Sequence, residues 1–258
     1  MIGPPAPLWW GSAAGRYALE WEQRELDRVL ADCFGYHALQ LGMPGLQALR
    51  ANRMPSRWMA VDEIHSTMAA AQGLSLEGCL HCDFHALPFP SKSLDLVVLP
   101  HTLELSADPH QTLREVERVL VPEGRVVITG FNPASLWGVS RRWNPQLRAQ
   151  GDWMPYWRLR DWLRLLSFEI EGGRFGCYQP HLAHERWQER LRWMDRLGDR
   201  WWPVLGSVYA LSAVKRLRGL RVVGLQRSAR RAGVAPAPVV ANRHPSASSS
   251  LNQRKGSS

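Results

Sequence analysis

Two short apolar runs between residues 93 and 130 constrain the fold of this chain most strongly. "SLDLVVLP", residues 93–100, is a nearly continuous apolar run bounded by turn residues, which is typical of a parallel strand buried on both faces. "RVVITG", residues 125–130, is a second such run, and "VPEG", residues 121–124, separates it from a helical stretch. This order of strand, helix and strand indicates a βαβ unit and therefore a parallel sheet.

The helix of this unit has its own signals. Asp108 and Pro109 are an N-cap residue followed by a proline in the first turn, and Leu113, Val116 and Leu120 form one apolar face. Strands and helices continue to alternate on both sides. The predicted helices cover residues 17–33, 45–51, 64–72, 158–166 and 184–198, and the predicted strands cover 36–41, 57–61, 77–84, 168–175 and 206–216. The expected fold is an α/β, Rossmann-like, mostly parallel sheet with helices on both faces.

Charge and tryptophan are unevenly distributed. Residues 215–258 hold ten Lys or Arg and no acid, so they carry a formal charge of +10. Because the whole chain has a net charge of +9, residues 1–214 carry a net charge of −1. Beyond about residue 228 the chain has few large apolar residues, so we expect a disordered basic tail, either a solubilising segment or one that binds RNA or an acidic membrane. Nine of the 13 Trp lie between residues 137 and 202, around a long Trp- and Arg-rich connection at 131–157.

The cysteines invite a metal-site interpretation that their number does not support. Cys79 and Cys82 are spaced as a zinc-ligand pair, but no second pair exists, and on a strand the two side chains would point to opposite faces. We expect small apolar packing and free thiols. The chain shows no signal peptide at its start and no apolar stretch of about 20 residues, so we expect no transmembrane segment and a cytoplasmic location.

Candidate binding residues follow three successive predicted strands. Gly42 and Gly45 form a turn after the first strand, Asp62 follows the second strand 22 residues after Gln40, and Asp83 closes the third. In dinucleotide-type folds an acid at about this distance binds ribose hydroxyls, and the carboxyl ends of parallel strands share one crevice. Taken singly, each Asp is better explained as a helix N-cap or a turn residue; together they favour a ligand site.

The sequence from residue 83 to 133 resembles a known family. "LPFPSKSLDLVV" and "LREVERVLVPEGRVVITG" are similar to the second half of class I S-adenosylmethionine-dependent methyltransferases of the type 11 group, which includes ubiquinone and menaquinone methyltransferases. A weaker resemblance extends over about residues 34–215. It implies a seven-stranded sheet, S-adenosylmethionine as cofactor and three regions: an N-terminal segment and helix (1–33), a methyltransferase-like domain (34–216) and the basic tail (217–258).

The resemblance also assigns roles to residues. The family's acid and glycine-rich loop fall on Gln40, Gly42, Pro44 and Leu46, so the loop departs from the pattern at its acid and at two glycines. The ribose-binding acid falls on Asp62, the adenine-binding acid on Asp83 with the backbone of Phe84 beside it, and the end of the fourth strand on Pro100 and His101. Gly42 and the Gln40 amide remain candidates for the cofactor, since an amide both donates and accepts.

Three functions remain open from sequence. The first is methyl transfer to a small, aromatic or apolar acceptor that meets the Trp-rich segments 131–157 and 176–205, with a neutral His101 as the candidate base. A structural hydrogen bond explains that histidine equally well. The second is an inactive methyltransferase fold kept as an interaction module, suggested by Pro44 and Gln40. The third is methylation of RNA or ribosomal protein, suggested by the basic tail.

Overall fold

A computed structural model describes residues 9–181 and 191–216 of the chain. The strands are β1 (His37–Leu41), β2 (Ser56–Val61), β3 (Leu80–His81), β4 (Leu94–Pro100), β5 (Leu120–Phe131), β6 (Phe168–Gly176) and β7 (Val208–Lys215). The helices are α1 (Ala13–Leu30), α2 (Glu63–Ala71), α3 (Thr102–Leu105), α4 (Pro109–Val119), α5 (Leu136–Ser140), α6 (Pro145–Arg148), α7 (Tyr156–Leu165) and α8 (Arg192–Trp201), and α8 is followed by a 3₁₀ turn at Pro203–Leu205.

The seven strands form one sheet in the order β3-β2-β1-β4-β5-β7-β6. Strands β1 to β5 pair in parallel, whereas β7 is antiparallel to both β5 and β6. The carboxyl ends of β1, β2, β3, β4 and β5 therefore meet at one edge of the sheet. The predicted α/β, mostly parallel architecture is confirmed. Sheets of this kind bind ligands at the carboxyl ends of their parallel strands, so this edge is where a site is expected.

Strand β4 shows why its sequence is almost wholly apolar. Leu96 and Val98 pack into the core on the α1 side of the sheet, and Val97 and Leu99 pack into the core on the opposite side. Successive side chains of a strand point to opposite faces, so a strand covered on both faces needs apolar residues at every position.

Helix starts follow the predicted capping chemistry. Asp108 caps α4 by accepting a hydrogen bond from the Gln111 amide at 3.0 Å, and Pro109 occupies the first turn. Asp62 caps α2 through the amide of His65 at 2.8 Å. Helix α1 begins after Ser12, whose hydroxyl accepts from the Gly15 amide at 3.1 Å. Each side chain satisfies one of the amides that a helix leaves free at its start.

Several predicted elements are wrong in detail. Residues 45–51 form turns instead of a helix, and Leu120 opens β5 instead of closing the preceding helix. The third strand is only Leu80–His81, so Cys79 and Cys82 flank it and the expected placement of both on a strand fails. Both cysteines are free thiols, and among the described residues no group of three or more potential ligands is placed to hold a metal ion.

Other predictions extend past the described residues. The helix predicted at 184–198 begins among residues that the structure does not describe, and the described residues of that region form α8 (Arg192–Trp201). The predicted basic tail, 217–258, lies outside the described residues. The chain divides into Met1–Gly219 and Leu220–Ser258, and every described residue belongs to the first unit. In the described part of the chain, no helix has both the length and the apolar character needed to cross a membrane.

Candidate functional site

The predicted binding residues lie at the carboxyl edge of the parallel strands. Gln40 is in β1 and Gly42 follows that strand; Asp62 follows β2 and Asp83 stands two residues after β3; Pro100 ends β4 and His101 comes next. These six residues, at the ends of four strands, are brought to one edge of the sheet because the strands run in parallel.

Asp62 is held in place by the helix that it caps. Its Oδ1 accepts from the His65 amide at 2.8 Å and lies 2.6 Å from His65 Nδ1. Burial alone would raise the pKa of this carboxyl, but the hydrogen bonds and charge of His65 outweigh burial and lower it. Within the described residues, no hydrogen bond reaches Asp62 Oδ2. The carboxylate is therefore ionised, fixed in orientation and has one oxygen available to a ligand.

Asp83 shares a surface cleft with Asp62. The cleft has a volume of about 640 Å³ and is lined by Asp62, Ser66, His81, Cys82 and Asp83 among others. Asp83 Oδ1 accepts from the amide of His85 at 2.8 Å, a hydrogen bond that lowers the pKa of the carboxyl despite slight burial. Phe84, next along the chain, is buried and packs near the His65 ring, at 5.5 Å between centroids.

The loop after β1 is organised around Gln40. The side-chain nitrogen Nε2 of buried Gln40 lies 2.8–3.1 Å from the carbonyl oxygens of Gly42, Met43 and Leu46, and its Oε1 accepts from the Ala48 amide at 3.1 Å. Both ends of the amide are occupied by the loop. The expectation that this amide receives the cofactor directly gives way to a different role, in which Gln40 shapes the loop.

Gly42 allows a histidine to approach the loop. Its φ is +76°, and a Cβ built at Gly42 would lie 2.5 Å from His65 Nε2. That nitrogen is buried and has no hydrogen-bond partner among the described residues. His65 therefore links the two candidate contacts: one ring nitrogen orients Asp62, and the other faces the glycine turn.

His101 is locked between two carboxylates. Its Nε2 lies 2.5 Å from Glu22 Oε1 and its Nδ1 lies 2.7 Å from Glu104 Oε2, and all three side chains are buried. Burial alone would lower the pKa of His101, but Glu22 and Glu104 raise it to about 10. At neutral pH this pKa puts a proton on both ring nitrogens, so both donate, while burial also raises the pKa of the partner carboxyl Glu104. The hypothesis that a neutral His101 acts as general base is not supported, because the charged ring has no lone pair to accept a proton.

Aromatic rings fill the space around His101. Its ring centroid lies 4.3 Å from that of Phe131 and 4.9 Å from that of Trp10, and Phe131 stacks on Trp153 at 4.7 Å. Trp9 and Trp137 complete this set, which we call the aromatic cluster: Trp9, Trp10, His101, Phe131, Trp137 and Trp153. The tryptophans of the Trp-rich connection therefore differ in burial: Trp137 and Trp153 are buried, and Trp143 is exposed.

Sequence reasoning missed the two acids that hold His101. Glu22 lies three residues after Leu19 and four before Leu26, and so stands on the apolar face of α1, where a charge is unusual. That placement was the available signal. Glu104 lies in the four-residue helix α3, where no periodicity can be read.

Comparison with known proteins places this architecture in a class. A solved S-adenosylmethionine-dependent methyltransferase from Thermotoga maritima, possibly a histamine N-methyltransferase, superposes with a TM-score of 0.57 at 16% identity, covering 81% of this chain and 93% of that one. A methyltransferase solved in complex with the Haloferax volcanii Trm112 activator superposes with a TM-score of 0.54 at 19% identity, covering 80% and 95%. The chain has the class I S-adenosylmethionine-dependent methyltransferase fold.

Sequence comparison adds a match of part of the chain to one family of methyltransferase domains. Residues 39–128 match Methyltransf_11, described as a methyltransferase domain. This stretch of the chain is therefore similar to type 11 methyltransferase domains, and that similarity and the fold imply S-adenosylmethionine as the cofactor.

Relatives match over part of their length. The uncharacterized protein YafS of Escherichia coli is 35% identical over 170 residues, which cover 64% of this chain and 66% of YafS. A demethylmenaquinone methyltransferase of Thermus thermophilus is 36% identical over 127 residues, which cover 45% of this chain and 56% of that protein. In both cases the match covers less than two thirds of the relative's length.

The residues present fit the adenosine part of this cofactor. The cleft between β2 and β3 holds two ionised carboxylates, and Asp62 presents an oxygen with no partner among the described residues, as a ribose diol requires.

Proposed function

We propose that this protein is an S-adenosylmethionine-dependent methyltransferase that acts on a small acceptor with an aromatic or apolar body. The observation that carries this proposal is the cleft of about 640 Å³ in which Asp62 and Asp83 meet. When bound, the cofactor supplies a methyl group on a sulfonium. In this proposal Asp62 holds the ribose, Asp83 and the Phe84 backbone hold the adenine, and Gly42 and Pro100, at the ends of β1 and β4, lie along the methionine end of the cofactor.

The chain's own contribution to such a reaction is mainly positioning. Transfer of a methyl group is an in-line displacement, so close and aligned reactants supply much of the rate. His101 is buried, and its role in the proposal is to hold Glu22 of α1 and Glu104 of α3 at the end of β4. The acceptor then reacts through a group that needs no proton removed by His101. The Thermus relative, a demethylmenaquinone methyltransferase, supports an aromatic acceptor class.

A second candidate function is supported by the aromatic cluster. Rings pack tightly around His101, and both nitrogens of its imidazole are taken up by carboxylates. A protein that keeps this fold only as an interaction module needs no space for a substrate beside His101. It would therefore tolerate the aromatic side chains that occupy that space. Cofactor binding separates the two candidates, because the module has no need of an intact adenosine cleft.

The test is calorimetric titration of S-adenosylmethionine into the full chain and three single variants. Asp62→Asn keeps the helix cap, since Asn caps as well as Asp, but it removes the charge that binds the ribose. We expect this variant to lose about tenfold or more in affinity, the effect of a charge-assisted hydrogen bond. Asp83→Asn should lose less, because Asp83 is more exposed than Asp62.

The matched control is Asp161→Asn, an exposed acid on α7, which should bind like the unmodified chain. Absence of heat and of thermal shift at millimolar cofactor would replace the enzyme proposal with the interaction module. Equal losses at Asp62 and Asp161 would remove Asp62 from the site.

A further inference from the structure

Helix α8 exposes an apolar stripe that the candidate site does not use. Trp193, Leu197 and Trp201 are 56%, 41% and 65% exposed. They are spaced by four residues, so they lie along one side of the helix. A helix of a globular protein normally turns such a stripe towards the core, and large exposed apolar surfaces mark interaction sites.

The inward side of α8 is already fixed to the body of the protein. Asp195 accepts from Gln179 Nε2 at 3.0 Å and from the amide of Tyr178 at 3.3 Å, and it is hydrogen-bonded to the hydroxyl of Tyr17 on α1. The helix is therefore anchored by its polar side, and the apolar stripe faces outward because the opposite side is engaged.

A second segment adds to the same region. Asn132 Nδ2 donates to the carbonyl of Val204 at 2.8 Å, so the chain leading into α5 lies beside the turn that follows α8. Leu136, Val139 and Trp143 are exposed on that segment, as are Trp202, Val204 and Leu205 after α8. We call the exposed apolar side chains of residues 136–143 and 193–205 the tryptophan surface.

The charges in and after this region favour an anionic occupant. Residues 136–148 contain Arg141, Arg142 and Arg148 and no acid, and Arg142 and Arg148 are exposed. Residues 193–205 are balanced, with Arg196 and Arg200 against Asp195 and Asp199. Residues 215–258 add ten cationic side chains and no acid. Tryptophan is the side chain most characteristic of the membrane–water interface, where its ring lies at the headgroup level, and arginine beside it pairs with lipid phosphates.

We propose that the tryptophan surface docks on a lipid bilayer that contains acidic phospholipids, with the Trp rings of α8 in the headgroup layer. The protein then lies on the membrane as a peripheral protein. This assignment rests on the exposed stripe and on the exposed arginines of residues 136–148, and it holds whether or not the chain transfers methyl groups.

The test is co-sedimentation of the full chain with vesicles, with tryptophan fluorescence as a second readout. Vesicles of phosphatidylcholine alone are compared with vesicles of phosphatidylcholine and phosphatidylglycerol in equal parts. We expect binding to the acidic vesicles, a shift of emission to shorter wavelength, and weaker binding at high salt. The triple variant Trp193→Gln, Leu197→Gln, Trp201→Gln should lose about tenfold or more in partitioning, because it removes three apolar side chains from the lipid contact.

The matched control is Trp157→Gln with Leu165→Gln, which removes two exposed apolar side chains from α7 and should bind like the unmodified chain. The circular dichroism spectrum and melting temperature of each variant should be unchanged, which checks that it folds. If the triple variant does not fold, the single variant Trp193→Gln replaces it, with a smaller expected loss of vesicle binding. The proposal is overturned if the full chain stays in solution with acidic vesicles at low salt. It is equally overturned if the α7 control loses as much binding as the triple variant. Self-association that the triple variant abolishes, without vesicle binding, would assign the surface to protein contacts instead.

Discussion

Glu22 Oε1 lies 2.5 Å from His101 Nε2, which joins the N-terminal helix to the end of β4 across 79 positions of sequence. Both side chains are buried, and Glu104 completes the arrangement on the other ring nitrogen. A charged histidine between two carboxylates is stable in the interior only as a complete set, since an unpaired buried charge is strongly unfavourable. This network ties α1 to the functional edge of the sheet.

Removing one acid of this network should destabilise the fold. We expect Glu22→Gln to lower the free energy of unfolding by on the order of 3 kcal/mol, because it breaks a buried ion pair. Chemical denaturation at neutral pH measures the loss. Glu20→Gln, an exposed acid two positions earlier on α1, is the matched control and should change stability by less than about 0.5 kcal/mol. Similar values for the two variants would mean that the ion pair adds nothing to stability.

The same network predicts how stability depends on pH. The pKa of His101 is raised from 6.5 to about 10 in the folded protein, so its contribution is complete below pH 6.5 and is lost as pH rises towards 10. Unfolding free energies should therefore fall between pH 7 and pH 9, by at most about 1.4 kcal/mol per pH unit. In His101→Gln this decline should flatten. A decline of the same slope in both proteins would assign it to other groups.

Restoring the family's acid at position 40 should harm this protein. In Gln40→Glu a carboxylate would face the carbonyl oxygens of Gly42, Met43 and Leu46, which the amide nitrogen now serves as donor. We expect a loss of about 3 kcal/mol or more in unfolding free energy, because buried acceptors would be left unsatisfied beside a buried charge. Gln47→Glu, an exposed glutamine in the same loop, should be nearly neutral. A stable Gln40→Glu variant would contradict the loop role of Gln40.

Alanine substitutions at Gly42 and Gly73 distinguish the cost of a left-handed backbone from the cost of a steric clash. Both have positive φ, +76° and +67°, but a Cβ at Gly42 would meet His65 Nε2 at 2.5 Å, whereas a Cβ at Gly73 would meet none of the described residues within 4 Å. Alanine at either site carries the left-handed penalty of roughly 1–2 kcal/mol. Gly42→Ala should lose at least about 1 kcal/mol more than Gly73→Ala, because the histidine must move. Thermal unfolding of both variants, with and without His65→Ala, measures this; the extra loss should vanish when His65 is absent.

The sequence determined the architecture through patterns that are local in the chain. The apolar run at 93–100, the Asp108–Pro109 helix start and the strand at 125–130 fix a βαβ unit, because burial on both faces of a parallel strand and the needs of a helix terminus act within a few residues. Asp62 and Asp83 could be placed at the same edge of the sheet for that reason as well. The positions of both acids follow from strand ends, which local pattern marks.

Only the tertiary structure decided what the side chains at that edge do. Gln40 was expected to meet the cofactor and instead holds the loop. His101 was expected to be a neutral base, but Glu22 arrives from a helix far away in sequence and keeps the ring charged. The Trp residues between 137 and 202 look alike in sequence, yet Trp137 is buried and Trp193 faces solvent. Protonation and exposure depend on neighbours brought together by packing, and those neighbours are not near in the chain.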